Sequence, residues 1–183
     1  MKKIGIICEY NPLHNGHVYH FSKVKQESNA DLIILSMSSS FTQRGDLSII
    51  DKFSRTKLAL IVGVDLVLEC PSIFSMQQAS DFCYYHVLNL ARCGVDEIWI
   101  GSEINDPTIY EKYDSITNSS IFKNLLDEFL ESGYAHKLAF SKALEALELQ
   151  ELKSNDLLGL FYHKAILKIN PSIKLKTIQR IEN

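Results

Sequence analysis

The stretch Glu9-Tyr10-Asn11-Pro12-Leu13-His14-Asn15-Gly16-His17 sets two histidines around a glycine, directly after the apolar run Ile4-Gly5-Ile6-Ile7-Cys8. Imidazoles at this spacing suit the stabilisation of charge on a phosphate chain. Where a strand turns into a helix, backbone N–H groups without intrahelical partners and the positive end of the helix dipole face the turn. Gly16 would let phosphate oxygens approach that backbone closely. His14 and His17 would then neutralise charge developing on a pentavalent phosphorus, as attack on an α-phosphate requires. A plainer reading stands beside this one, since the chain has 6 histidines and any of them is ordinarily a surface or satisfied core residue. A zinc site is a weaker competitor, because the pair lies at i and i+3 in a turn with no cysteine or carboxylate set nearby. The flanks favour the phosphate site: such a motif belongs after a strand and before a helix.

The elements that would hold this motif recur along the chain. Short apolar runs at Ile4 to Cys8, Leu32 to Met37, Leu66 to Leu68 and Glu97 to Ile100 read as buried parallel strands. The spacers Gly16 to Ser28, Asp51 to Val62 and Gln77 to Arg92 carry helical periodicity. Strands alternating with helices predict an α/β, Rossmann-like parallel sheet with right-handed crossovers and helices on both faces. Gly63-Val64-Asp65 and Gly94-Val95-Asp96 repeat one device, a glycine that ends a helix as a strand begins. After Gly101 the run Ser102 to Pro107 is turn chemistry. The pattern is helical from Ile121 to Leu152, interrupted at Ser132-Gly133. Ser154-Asn155-Asp156 reads as an N-cap before a helix to Lys168, closed by Asn170-Pro171, and a final strand run covers Leu175 to Ile178. With no low-complexity linker, the helical part 118–170 is expected to pack on the core 1–103 as a single domain over 1–183.

A chain of 183 residues with 46% hydrophobic content can bury a sizeable core. Its formal net charge of -3 argues against a whole-protein electrostatic grip on nucleic acid and leaves room for a local basic patch. The 4 cysteines, Cys8, Cys70, Cys83 and Cys93, form no Cys-x-x-Cys pair and sit in apolar segments, which predicts reduced core thiols in a cytosolic protein. The apolar run behind Lys2 and Lys3 is short and soon broken by Glu9 and Asn11-Pro12, so neither a signal peptide nor a membrane span is expected. The cytoplasm is the expected address, with no membrane partner.

Several blocks, taken in order, are similar to the tRNA(Met) cytidine acetate ligase family. They are Glu9-Tyr10-Asn11-Pro12 leading into His14-Asn15-Gly16-His17, Met37 to Gly45, Lys52-x-x-Arg55-Thr56-Lys57, Gly63 to Pro71, and Gly101-Ser102-Glu103. The likeness continues through Ser154 to Gly159 and Lys176 to Arg180. It implies a nucleotidyltransferase-like Rossmann domain of the class I aminoacyl-tRNA synthetase type. It also implies an ATP-dependent activation of acetate to acetyl-adenylate, and transfer of the acetyl group to the 4-amino group of the wobble cytidine in elongator tRNA(Met). The family's ATP-binding segment maps onto Ile7, Cys8, Glu9, Tyr10, Asn11, Pro12, Leu13, His14, Asn15, Gly16, His17, Val18, Tyr19 and His20. Its separate nucleotide contacts map onto Gly101, Asn155 and Arg180, and His14 and His17 would be the catalytic pair that holds the phosphates.

Each transfer has a plainer counterpart. Gly101 ends the fourth strand, where ligands of open α/β sheets bind, and is also what a simple turn would use. Asn155 reads equally as a helix cap, and the role of Arg180 rests wholly on the resemblance. Arg44 is placed either to hold a carboxylate or phosphate bidentately or to sit solvated in a loop. Lys52, Arg55 and Lys57 make a basic helix face that either meets RNA phosphates or is merely exposed. Magnesium is expected with ATP; no dedicated carboxylate cage is visible, and Glu9 and Asp65 are the candidates. Two departures from the family stand out. Ser38-Ser39 replaces the favoured Ser-Gly, tightening the loop beside the expected acetate pocket. The family also continues past the Arg180 equivalent into a helical tRNA-binding region, which is expected to be absent here because the chain stops at Asn183. The competing functions are an adenylyltransferase acting on a phosphorylated cofactor precursor and a non-catalytic nucleotide-binding remnant.

Overall fold

The computed structural model describes residues 1–181; the expected domain end at Asn183 lies outside them. Five strands, β1 (Lys3–Cys8), β2 (Leu32–Ser38), β3 (Leu66–Cys70), β4 (Glu97–Ser102) and β5 (Lys174–Gln179), form one sheet in the order β3-β2-β1-β4-β5. Every pairing is parallel. Helices α1 (Asn15–Ser28) and α2 (Lys52–Ile61) connect the first three strands, and the short α3 (Ser72–Ser75) precedes α4 (Ala79–Arg92). Between β4 and β5 run α5 (Thr108–Asn118), α6 (Ser120–Glu131), α7 (His136–Ala146) and α8 (Ser154–Ile169).

Side chains alternate across a strand, so branched residues bury on both faces of a covered sheet. Ile4, Ile6, Ile33, Leu35 and Trp99 join Phe21, Val24 and Ala59 of α1 and α2 in one core. Ile34, Ile98 and Ile100 join Phe82, Val87 and Leu90 of α4 and Leu160, Ala165 and Ile166 of α8 in the other. The helices therefore divide between the two faces, as the alternating pattern predicted.

The repeated Gly-Val-Asp device has a full physical account. Gly63 (φ +106°) and Gly94 (φ +70°) hold the left-handed position after α2 and α4. In each case two hydrogen bonds close the helix end, Gly63 N to Leu60 O with Val64 N to Ala59 O, and Gly94 N to Ala91 O with Val95 N to Leu90 O. Both valines are buried. The aspartates then dock neighbouring strands: Asp65 accepts from Ile33 N at 2.8 Å and Asp96 from Lys3 N at 2.7 Å.

Four expectations need correction. Helix α5 lies between the turn run Ser102 to Pro107 and the expected helical part, where no element was assigned; its inward face is Tyr110, Tyr113 and Thr117, so aliphatic periodicity carried little signal there. The helical part thus begins at Thr108 and not at residue 118. The run to Leu152 stops early: α7 ends at Ala146, Glu148 takes φ +57°, and Leu152 enters the core from a non-helical stretch. The third strand extends beyond Leu68 to Cys70, where it still pairs with Ser38.

Candidate active site

The pairing of β1 with β4 is restricted to Ile4 with Glu97 and Gly5 with Ile98, whereas β1 with β2 and β4 with β5 stay in register along their length. Past Gly5 the two central strands part at their carboxyl ends. This is the switch point of the sheet, with α1 leaving on one side and α8 arriving on the other, and it is where such sheets bind ligands. A cleft of about 460 Å³ occupies the gap.

His14 is the N-cap of α1, and its side chain does the capping. Gly16 N donates to His14 Nδ1 at 3.1 Å, and His14 N donates to His17 Nδ1 at 3.3 Å. A backbone N–H only donates, so both Nδ1 atoms accept, and each neutral ring carries its proton on Nε2. The rings stack with centroids 3.7 Å apart, and both line the cleft. The helix start thus fixes two imidazole N–H donors of known tautomer at the first turn of α1. Burial, then the nearby His14, His20 and Arg180, push the His17 pKa down to about 4, which keeps it neutral at ordinary pH. The glycine has a reason that the sequence did not reveal: a Cβ at Gly16 would come within 2.9 Å of His14 Cε1, so the residue is small for the capping ring as well as for any ligand.

The near rim is built around Arg55, which is fully buried. Its Nη1 donates to Glu9 O at 2.5 Å and Ser38 O at 3.1 Å, Nε to Ile50 O at 3.0 Å, and Nη2 to Ser39 O. One guanidinium therefore ties the loops after β1 and β2 together. Lys52, Arg55 and Lys57, left open between an RNA-facing and a merely exposed face, do not form one basic face: Arg55 points inward, Lys52 is paired with Glu69 at 2.7 Å, and Lys57 is exposed. Glu9 accepts from Gln43 N at 2.6 Å; burial raises its pKa, opposed by that bond and by Arg55 and Arg44. Gln43 and Arg44 both line the cleft. Ser39 does not, since its hydroxyl donates to Glu69, so the departure at Ser38-Ser39 stays outside the cleft wall.

The far rim joins the ends of β4 and β5 to the start of α8. Arg180 donates from Nη1 to Asn155 Oδ1 at 3.3 Å, and its Nε lies 3.6 Å from Glu103 Oε1. Glu103 also accepts from Asn155 Nδ2 and from Asp156 N. Asn155 is therefore not a cap; the N-cap position is Lys153, and Ser154, Asn155 and Asp156 all lie in the first turn of α8. Beneath them the fully buried Asp156 carboxylate accepts from Ser102 Oγ, from Tyr110 OH at 3.0 Å and from the amides of Glu103 and Ile104 at 3.2 Å each. Gly101 leaves room for Arg180, whose Cγ would lie 3.3 Å from a Cβ there. Sequence reasoning assigned nothing to Glu103 or Asp156; their only signal was membership of the family-like blocks.

Of the expected site residues, Ile7, Cys8, Glu9, Tyr10, His14 and Gly16 line the cleft, as do His17, Tyr19, His20, Gly101, Asn155 and Arg180. Tyr10 reaches it with φ +48° and its ring 4.8 Å from that of His17. Asn11, Pro12, Leu13, Asn15 and Val18 lie off the wall; Asn11 Oδ1 accepts from Ile49 N at 2.7 Å and so anchors the next loop. His20 leaves Nε2 buried without a partner among the described residues, and burial lowers its pKa to about 4. Asp65 is removed from metal candidacy, because it docks β2 at the opposite end of the sheet. Among the described residues no group of three or more His, Cys, Asp or Glu side chains could hold a metal ion, and Glu9 is the sole carboxylate on the cleft wall.

A parallel sheet that opens between β1 and β4 over histidine-capped amides defines a nucleotidyl transferase, and residues 1–183 match the HIGH Nucleotidyl Transferase family, to which the chain belongs. The chain is 42% identical over 190 residues to the tRNA(Met) cytidine acetate ligase of Clostridium novyi, with 98% of this chain and 48% of that protein covered. It is likewise 42% identical over 191 residues to the enzyme of that name from Oceanobacillus iheyensis, with 100% and 48% covered. The crystal structure of Thermotoga maritima TmcAL bound with alpha-thio ATP superimposes with a TM-score of 0.91 at 36% identity, covering 99% of this chain and 47% of that one. The resemblance read from the ordered blocks is thus borne out. The chain spans about half the length of the curated relatives it matches.

Proposed function

We propose that the chain uses ATP to activate acetate as acetyl-adenylate and serves acetylation of the wobble cytidine of elongator tRNA(Met). The observation that carries this reading is the pair of tautomer-fixed imidazole donors at the start of α1, in a chain that superimposes along its length on a relative bound with an ATP analogue. A carboxylate oxygen of acetate attacks the α-phosphorus, and the bond from that phosphorus to the bridging oxygen of pyrophosphate breaks. His14 and His17 donate from Nε2 to phosphate oxygens as charge accumulates. Arg180, oriented by Glu103 and Asn155, balances the nucleotide from the other rim. In the second step the cytidine 4-amino nitrogen attacks the acetyl carbon, the bond to AMP breaks, and the amine loses a proton. These roles assign the ATP site to the predicted residues that line the cleft, Ile7 to Tyr10, His14, Gly16, His17, Tyr19, His20, Gly101, Asn155 and Arg180.

Magnesium would supply charge neutralisation between phosphate oxygens. The wall fits an ion that arrives with the nucleotide, since Glu9 is its one carboxylate and no protein cage exists among the described residues. We take 1–183 as a single nucleotidyltransferase-like unit, because α4 and α8 share one core on the sheet. No helix among the described residues is long and apolar enough to cross a membrane, consistent with work on tRNA in the cytoplasm. Acetate-dependent exchange of labelled pyrophosphate into ATP tests the first step, and acetylcytidine in elongator tRNA(Met) tests the second. A protein that binds ATP yet yields neither product overturns the reading.

A further inference from the structure

A second hollow, of about 460 Å³, lies outside the cleft. Its wall includes Ala79 and Ser80 in the first turn of α4, Lys137 and Phe140 of α7, and Leu157 and Phe161 of α8. Helix α8 is the partition between the two spaces: Asn155, Leu158 and Tyr162 face the cleft, whereas Leu157 and Phe161, one turn apart on another face, line the hollow. The rims also meet, because Gln43 of the cleft wall donates from Nε2 to Gln77 O at 3.2 Å, beside Gln78 of the hollow. Phe140 is held edge-on by Phe122, with centroids 5.1 Å apart. The half-buried Phe161 has no aromatic ring partner among the described residues. No Asp or Glu belongs to the wall, and Asp81 just beyond it takes Gln78 Nε2 at 3.3 Å. The exposed Lys137 has no ion-pair partner among the described residues. In a chain of net charge -3 this is a local cation left unneutralised beside an open aromatic face.

We infer that this hollow receives the base of a nucleotide adjoining the cytidine that is acetylated, stacked on Phe161 with its phosphate at Lys137. The inference rests on the proposed function and adds to it a docking surface for the RNA. Single-stranded RNA is held by splaying its bases onto aromatic faces while cations take the phosphates. A cytidine drawn into the cleft leaves its own stack, and the base beside it loses a neighbour at the same moment. The hollow offers that base a replacement one helix away, a distance of about 10 Å. Its volume falls within the range of pockets that hold small molecules, so a single base fits. An apolar peptide would cover Phe140 and Leu157 but leave Lys137 without an anion.

The test measures binding of an RNA hairpin with the anticodon-arm sequence of elongator tRNA(Met), over a salt series, alongside acetate-dependent pyrophosphate exchange. Lys137→Ala should lower the slope of log affinity against log salt by about 1, a change that a merely structural lysine would not produce. Phe161→Leu keeps the apolar volume and loses the stack, so affinity should fall about fivefold or more. Phe161→Tyr should restore it, and exchange should stay near wild type in all three variants. An abasic site next to the cytidine, tried on each side in turn, should on one side weaken wild type as Phe161→Leu does and add nothing to that variant. Undiminished affinity in Phe161→Leu, an unchanged salt slope in Lys137→Ala, or additive losses at both abasic positions would overturn the inference. So would a self-association of the protein that Phe161→Leu abolishes with RNA binding untouched, which would give the hollow to a second copy. A wild-type protein that exchanges pyrophosphate but does not bind the hairpin would remove this site and leave the activation step standing. Hairpin binding without exchange would remove the activation step and leave the stacking site to be judged by its own variants.

Discussion

A histidine at an N-cap is an uncommon choice where Asn, Asp, Ser and Thr dominate. Here two of them complete a reciprocal box, each Nδ1 taking one backbone N–H. In the proposed site the cap and the phosphate donor are two ends of one ring: Nδ1 serves the fold and Nε2 is left for a ligand. The two duties can be separated. His14→Asn retains a capping oxygen and removes the Nε2 donor, so its urea midpoint should stay near wild type while pyrophosphate exchange falls about 100-fold or more. His14→Ala should lose the same activity and, in addition, about 1 kcal/mol of stability. Equal stability of the two variants would show that the ring does not cap. At this scale the sequence disclosed the imidazoles as candidate phosphate ligands but not as caps. It also disclosed neither Glu103 nor Asp156 as rim-building groups, because the partners that hold them lie at least 46 positions away along the chain.

Among the elements, α8 bears the heaviest duty, since its first turn builds the far rim and its middle packs on α4 and α5. Gly159 makes the α5 contact possible. A Cβ there would lie 2.5 Å from Tyr110 Cζ and Oη, and Tyr110 is fully buried with its hydroxyl on Asp156. Gly159→Ala should therefore cost about 1–3 kcal/mol by overpacking, read by urea denaturation. It should also weaken ATP binding, because displacement of Tyr110 leaves Asp156, and with it the Glu103 turn, less well held. A variant as stable as wild type would mean that Tyr110 can shift freely. Helices α1, α2 and α4 were legible from aliphatic spacing, and their Gly-Val-Asp endings were visible as a repeat. Helix α5 was not, because tyrosine and threonine form its inner face, and the family-like Ser154-Asn155-Asp156 was misread as a cap because its partners lie at or just past the ends of β4 and β5 and on α5.

Across the molecule, burial keeps several histidines neutral. Desolvation lowers His86 to about 3 inside the second core, where its Nδ1 meets Ser36 Oγ at 2.7 Å, and lowers His17 and His20 to about 4. Unfolded histidine titrates near 6.5, so below that pH the unfolded chain binds protons that the folded one refuses. The associated stability is fully present above about pH 6.5 and is lost as pH falls towards 4 for His17 and His20 and towards 3 for His86. The urea midpoint should thus decline between pH 7.5 and 5, and His86→Gln should make the decline shallower; an unchanged slope would sink this account. Taken alone, the sequence determined the strand and helix alternation, the parallel sheet, the placing of His14 and His17 at the first strand-to-helix turn and the family likeness, because periodicity and short motifs act between near neighbours. Only the tertiary structure decided that β1 and β4 part beyond Gly5, that Arg55 turns inward to bind two loops, and that Glu103 and Asp156 hold Arg180 and Asn155 in place. Those outcomes depend on strand order and on contacts between distant segments, which no local spacing encodes.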